Sequence, residues 1–142
     1  MILLDTNVLS ELMRSTPEQR VIAWLNEQVA TRVHTGAPNE AEILTGIGLL
    51  PKGKRREALA KAARALFDED LAGRVLPFSS AAARSYAEIV VVRQAAGRPI
   101  STIDAMVAAI AKANGAVLAT RNVDDFRDCG VEWVSPWDTA KR

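Results

Sequence analysis

Short apolar runs without alternation recur at residues 1–4, 32–34, 74–76, 116–119 and 132–134, and longer stretches with apolar positions at helical spacing lie between most of them. Strands apolar on both faces that alternate with helices predict an α/β domain with a mostly parallel central sheet of about five strands. No internal repeat, low-complexity tract or linker interrupts the pattern, so one domain is expected over residues 1–142.

The helix signals are of unequal strength. Thr16-Pro17 suits a cap and a first helical position, predicting a helix over 17–29 that buries Val21, Trp24 and Leu25. A second is expected over 40–50, capped by Asn39 and stopped at Pro51-Lys52-Gly53, and a third begins near Lys54. Leu59, Ala62, Ala63, Leu66 and Phe67 form the third helix's buried stripe, with Arg55, Arg56, Lys61 and Arg64 mostly off it. Ser79 and Ser80 cap a helix over 81–96, closed by Gly97. From Ser101 to Asn114 nearly every residue after Asp104 is apolar, which predicts a helix buried on most sides. Pro136-Trp137 reads as packing and the charged tail beyond it as fraying.

Three of these starts share a spacing. Asn39 to Glu42, Ser101 to Asp104 and Asn122 to Asp125 each place a polar cap three residues before an acid, and Asp5 ends the first apolar run. Taken singly, each acid is explained by the helix dipole, worth about 0.3 to 1 kcal/mol, and Asp5 by a turn bonding nearby amides. Ser79 starts a helix without an acid, so the other carboxylates are not a structural habit of this chain. In an open parallel sheet, ligands bind beyond the carboxyl ends of the strands where strand order reverses, and the four acids sit at or just after such ends. Carboxylates roughly 5 Å apart repel by about 3 kcal/mol per pair at an effective dielectric near 20. Gathered in one pocket they require a cation or a proton. Oxygen donors without clustered Cys or His select magnesium or manganese over zinc. Such an ion suits in-line hydrolysis of a phosphodiester.

Composition narrows the partners. With 18 basic and 17 acidic residues the net charge is +1, so any phosphate-binding surface is local. Aromatic residues are 5% of the chain, which argues against a base-stacking platform. The single Cys129 can form no internal disulfide, and Met1 leads directly into an apolar strand, which predicts a cytoplasmic protein without a membrane segment. His34 falls within a predicted strand with no second His or serine elbow, and a hydrolase triad has no support. A receiver-like phosphoacceptor would need an acidic pair after the first strand, where Asp5-Thr6-Asn7 stands.

Asp5-Thr6-Asn7 with Val8-Leu9-Ser10-Glu11, Ala41-Glu42-Ile43, Arg98-Pro99-Ile100-Ser101 with Asp104-Ala105, and Ala119-Thr120-Arg121-Asn122 through Asp125-Phe126 together resemble the PIN-domain ribonucleases, more narrowly the VapC-type toxins of toxin-antitoxin pairs. The resemblance covers nearly the whole chain. It implies a three-layer α/β/α domain, a magnesium- or manganese-dependent endoribonuclease, a homodimer, and a VapB-like antitoxin that silences it. Asp5, Glu42 and Asp104 fall on its three acidic metal-site positions. The fourth position is filled by Asn122 or by Asp125, with Asp124 a less apt substitute. Thr120 matches a family hydroxyl near the metal and Asn7 a polar residue that supports it. Gly36, Pro38 and Asn39 depart from the Ser, apolar residue and Thr usual before the Glu, and Ser79 stands where relatives commonly have Asp.

The sequence therefore predicts catalytic roles for Asp5, Glu42, Asp104 and Asp125, with Asn122 joining them at the metal. Lys52, Lys54, Arg55 and Arg56 make the densest basic run, and Arg93, Arg98 and Arg121 are scattered near the proposed site; of these Lys54, Arg55, Arg56, Arg98 and Arg121 are the candidates for steering RNA. The alternative is a catalytically weak PIN domain that binds RNA or a protein partner.

Overall fold

The computed structural model describes residues 1–138; the predicted fraying of the tail concerns residues outside that range. Five parallel strands, β1 (Ile2–Leu4), β2 (Val33–Gly36), β3 (Val75–Leu76), β4 (Val117–Ala119) and β5 (Trp133–Val134), form one sheet in the order β3-β2-β1-β4-β5. Each lies within or beside its predicted apolar run. Alternate residues feed two cores. Leu4 and Ala119 enter one, with Val8, Val21, Trp24, Ile43, Leu66 and Phe67. Leu3 and Leu118 enter the other, with Ile89, Val107, Ile110 and Phe126. Helices on both faces give the three layers expected of an α/β/α domain.

The first core is covered by α1 (Thr6–Leu12), α2 (Gln19–Asn26), α3 (Ala37–Gly48) and α4 (Lys54–Arg64), the last running on into π-helical residues Ala65–Asp70. The second is covered by α5 (Ser80–Ala95) and α6 (Thr102–Asn114). Ser79 caps α5, its hydroxyl accepting from Ala82 N at 3.1 Å, and α6 stops at Gly115, whose φ of +63° suits a residue without Cβ. Val107 through Ala111 are all buried, as the apolar run after Asp104 predicts.

Two helix starts differ from expectation. α2 begins at Gln19 and ends at Asn26, leaving Thr16-Pro17 outside it. The buried carboxylate of Glu11 accepts from Glu18 N at 3.0 Å and holds the preceding backbone extended. α3 begins at Ala37, three residues before the predicted start, because Pro38 fits its first turn and Gly36 supplies the extended residue before it. The apolar-run reading does not mark α1, which begins one residue after β1 with no loop between.

Strand order places β1 between β2 and β4, so connections leave it toward both sides. The carboxyl end of β1 is the switch point of the sheet. Asp5 stands there.

Candidate active site

Asp5 extends the sheet by one more hydrogen bond, its N–H donating to Ala119 O at 2.9 Å, and then caps α1. Its Oδ1 accepts from Thr6 N at 2.8 Å and from Asn39 Nδ2 at 3.2 Å; its Oδ2 accepts from Thr120 Oγ1 at 2.8 Å, with Asn7 Nδ2 at 3.5 Å. The residue is 6% exposed. Burial raises its pKa; the bonds from Thr120 and Thr6 oppose that, while the charges of Asp104 and Glu42 add to it.

Asn39 is not the cap of α3. It occupies the third helical position, wholly buried, and its Oδ1 accepts from Gly36 N at 3.2 Å, closing the turn from within. Its amide reaches back to Asp5 Oδ1 and to Thr6 Oγ1 at 3.0 Å, and that hydroxyl donates to Glu42 Oε1 at 2.6 Å. Asp5, Asn39, Thr6 and Glu42 thus form one chain of hydrogen bonds. Because α3 starts early, Glu42 lies in its second turn, and the cap-plus-acid spacing does not describe this acid.

The spacing holds in full only at α6. Ser101 Oγ accepts from Asp104 N at 3.2 Å, and the carboxyl group of half-buried Asp104 points into the same cleft as Asp5. Burial raises its pKa above the ordinary value, the Ser101 hydroxyl beside its carboxyl group works against this, the neighbouring charges of Asp125 and Glu42 add to it, and Arg93 lowers it. At the third site Asn122 makes no side-chain cap; Asp125 N bonds its main-chain oxygen at 3.0 Å within a short 3-10 turn, Val123–Phe126. That segment is too tight for the side-chain bond the spacing predicts.

One open cleft of about 500 Å³ is lined by Asp5, Asn7, Glu42, Asp104 and Asn122, with Arg121 and Trp137 at its edge. Thr120 lies buried behind it, accepting from Asn122 N at 3.1 Å. Asp125 does not line this cleft, and its exposed carboxylate lies on the Asp104 side. Among the described residues, no group of three His, Cys, Asp or Glu side chains is drawn close enough to hold a metal ion unaided. The basic candidates separate. Arg121 lines the cleft with its guanidinium 4.9 Å over the Trp137 ring, whereas Arg98 is paired with Asp128 at 3.3 Å on the surface.

Arg93, one of the cations expected near the site, shapes it by holding main-chain carbonyls and not by meeting phosphate. It is buried, and its guanidinium donates to Arg98 O at 2.7 Å, Asp125 O at 2.7 Å and Arg127 O at 3.0 Å, fixing the segment that carries Asp125. Cys129 lies against it, buried, with its thiol pKa pushed up by that burial. An inert thiol follows.

An all-parallel α/β/α domain with the carboxylates of Asp5, Glu42 and Asp104 lining one cleft at its switch point is a small-ligand or phosphate-chemistry scaffold. The chain belongs to the PIN domain family, whose model matches residues 2–131. It is 38% identical over 140 residues to the VapC ribonuclease Y4jK of Sinorhizobium fredii, covering 99% of this chain and 100% of that one. It is 37% identical to toxin FitB of Neisseria gonorrhoeae, with 96% and 99% of the two chains covered. The solved structure of FitAB bound to a DNA fragment superposes with a TM-score of 0.89 at 37% identity over 96% of each chain.

Proposed function

We propose that this protein is a metal-dependent endoribonuclease and the toxin of a type II toxin-antitoxin pair. The carrying observation is buried Asp5 at the end of the central strand, sharing one cleft with Glu42 and Asp104. The relatives named as a ribonuclease and as a toxin support the same reading.

The donors fit magnesium or manganese. They are hard oxygens from separate elements that face one cleft, where burial first and then neighbouring carboxylate charge raise the pKa of Asp5 and of Asp104. The spread of the carboxylates suits magnesium, which keeps much of its water and needs only one or two direct carboxylates. Asp5, Glu42 and Asp104 would hold the ion, with Asn122 or Asp125 completing the set. When bound, such an ion supplies a water of lowered pKa and neutralises charge on the phosphate. Asn39, Thr120 and Asn7 fix the Asp5 carboxylate, and Thr6 fixes Glu42, so the donors are held before substrate arrives.

The partners of this reading are RNA, a VapB-like antitoxin and a second copy of the chain. Exposed Leu44 on α3, Leu49 just past its end, and Val91 and Val92 on α5 offer apolar surface for association. Among the described residues no helix is long and apolar enough to cross a membrane.

Purified protein supplied with magnesium or manganese is expected to cut structured RNA. Asp5→Asn and Asp104→Asn are expected to abolish cutting while the circular dichroism spectrum is retained, and full activity in either variant would refute the assignment. The other reading, a PIN module that binds without cutting, draws on the open spacing of the carboxylates and on Asn122 at the fourth position. An intact protein that binds RNA but leaves it uncut with either metal would establish it.

A further inference from the structure

The acidic cleft continues into a groove. A depression of about 450 Å³ shares Thr6, Ser10, Arg14 and Glu42 with it, and a third of about 470 Å³ shares Met13, Arg14, Arg55 and Leu59 with the second. On one wall Thr6, Ser10, Met13 and Arg14 recur at helical spacing along and just past α1, a stripe roughly 12 Å long. On the other wall Ile43, Gly46, Ile47 and Leu50 line α3 and its end, and Arg55 and Leu59 the start of α4.

The groove changes character along its length. It is anionic at Asp5, Asp104 and Glu42, and carries two arginines where it leaves the site. Arg14 is 62% exposed at its side chain, and its guanidinium is aimed by the buried Glu11 carboxylate, 3.1 Å from Nη1. Arg55 makes no ion pair among the described residues. Lys54 and Arg56, its neighbours in the basic run, line neither depression. Gly46 adds a second observation: a Cβ built there meets nothing within 4 Å, so no internal contact requires glycine, and its effect is to keep the wall low. Glycine in a helix interior costs about 1 kcal/mol relative to alanine, a cost without an internal return here.

Resting on the ribonuclease reading, we infer that this groove is the track of the RNA strand leaving the scissile phosphate, with Arg14 and Arg55 gripping its backbone. Guanidinium groups on both walls match a chain of phosphates, and the near absence of exposed aromatics there means that backbone, not bases, is held. Arg14, outside the basic run, is then the arginine nearer the chemistry, being the one that also lines the acidic cleft.

The test is binding of single-stranded RNA of mixed sequence, measured with chelator present so that no strand is cut, as a function of salt. Each of Arg14→Gln and Arg55→Gln should lower affinity several-fold and reduce the slope of log K against log salt by about 0.7, the value for one phosphate contact on a single strand. Arg14→Lys and Arg55→Lys should retain the wild-type slope. Gly46→Leu, which adds helix propensity and whose Cβ meets nothing within 4 Å, should fold and bind RNA more weakly. A wild-type slope in the folded double Gln variant overturns the track, as does weaker binding of the antitoxin alone with RNA binding unchanged, which would assign the groove to a protein. Failure of the wild-type protein to bind RNA at all would instead sink the ribonuclease reading beneath it.

Discussion

The amide of Asn39 lies 3.2 Å from Asp5 Oδ1 and 3.0 Å from Thr6 Oγ1, so a single buried side chain ties the end of β1 to the start of α1 and, through Thr6, to Glu42. Its own oxygen is taken by Gly36 N. A Cβ at position 36 would stand 2.9 Å from that oxygen and 3.2 Å from Ile110 Cδ1. The glycine and the asparagine are therefore one device: the larger polar side chain fits because its neighbour has none. Asn39→Ala should destabilise by about 2 to 4 kcal/mol, combining a small cavity with an unpaired buried amide at Gly36. Gly36→Ala should cost about 1 to 3 kcal/mol by overpacking, and much less in the Asn39→Ala background. Urea denaturation of the four proteins in this cycle checks it, and strict additivity would show the two residues to be independent.

Thr6 acts on the proposed metal through Glu42. Replacing its hydroxyl in Thr6→Val keeps the shape and removes the 2.6 Å bond that orients an otherwise exposed carboxylate. Manganese affinity, read by calorimetry, should fall about tenfold or more, in line with loss of an outer-shell partner, and Thr6→Ser should restore it. Equal affinities in all three proteins would leave Thr6 a purely structural residue.

Asp5 and Asp104 both carry pKa values raised by burial, so the folded chain binds their protons more tightly than the unfolded chain does. The sign of the linkage follows: stability from these groups falls as pH rises from the ordinary 3.8 through their folded values, and the penalty is complete above them. Asp104→Asn should accordingly raise the melting temperature of the metal-free protein at neutral pH, with the gain shrinking to nothing in acid. Thermal melts with chelator across that range are the measurement. A variant less stable than wild type at neutral pH would mean that the Ser101 hydroxyl's contact with the carboxylate outweighs the relieved burial of charge. Stabilisation joined to loss of activity is the pattern of a site strained for function.

β1 and β4 were legible because a strand buried on both faces shows an unbroken apolar run, and the caps at Ser79 and Ser101 because one hydroxyl and one amide decide them locally. α1 escaped because Thr6-Asn7-Val8-Leu9 carries no break after the strand; its cap is Asp5, which reads first as an acid of the site. The role of Asn39 escaped for a related reason. Its partners, Asp5 and Thr6, are far away in the chain, and only the pairing of β1 with β2 brings them within reach. Arg93 sits in a helix where an arginine ordinarily faces water, and nothing local announces that three carbonyls converge on it. Residues with local causes can be read from sequence; residues whose partners arrive through the sheet cannot.

β1 precedes the other four strands in the chain and lies in the middle of the sheet, and this governs when the acidic site can assemble. Asp5 obtains its sheet bond from Ala119 and its hydroxyl partner from Thr120, and no earlier residue can stand in for either. A growing chain that has not yet delivered β4 has a central strand with one open edge and a leading carboxylate without its support. The topology delays assembly of the acidic site until β4 has been delivered, so no chain that stops short of Thr120 holds Asp5 in its finished setting.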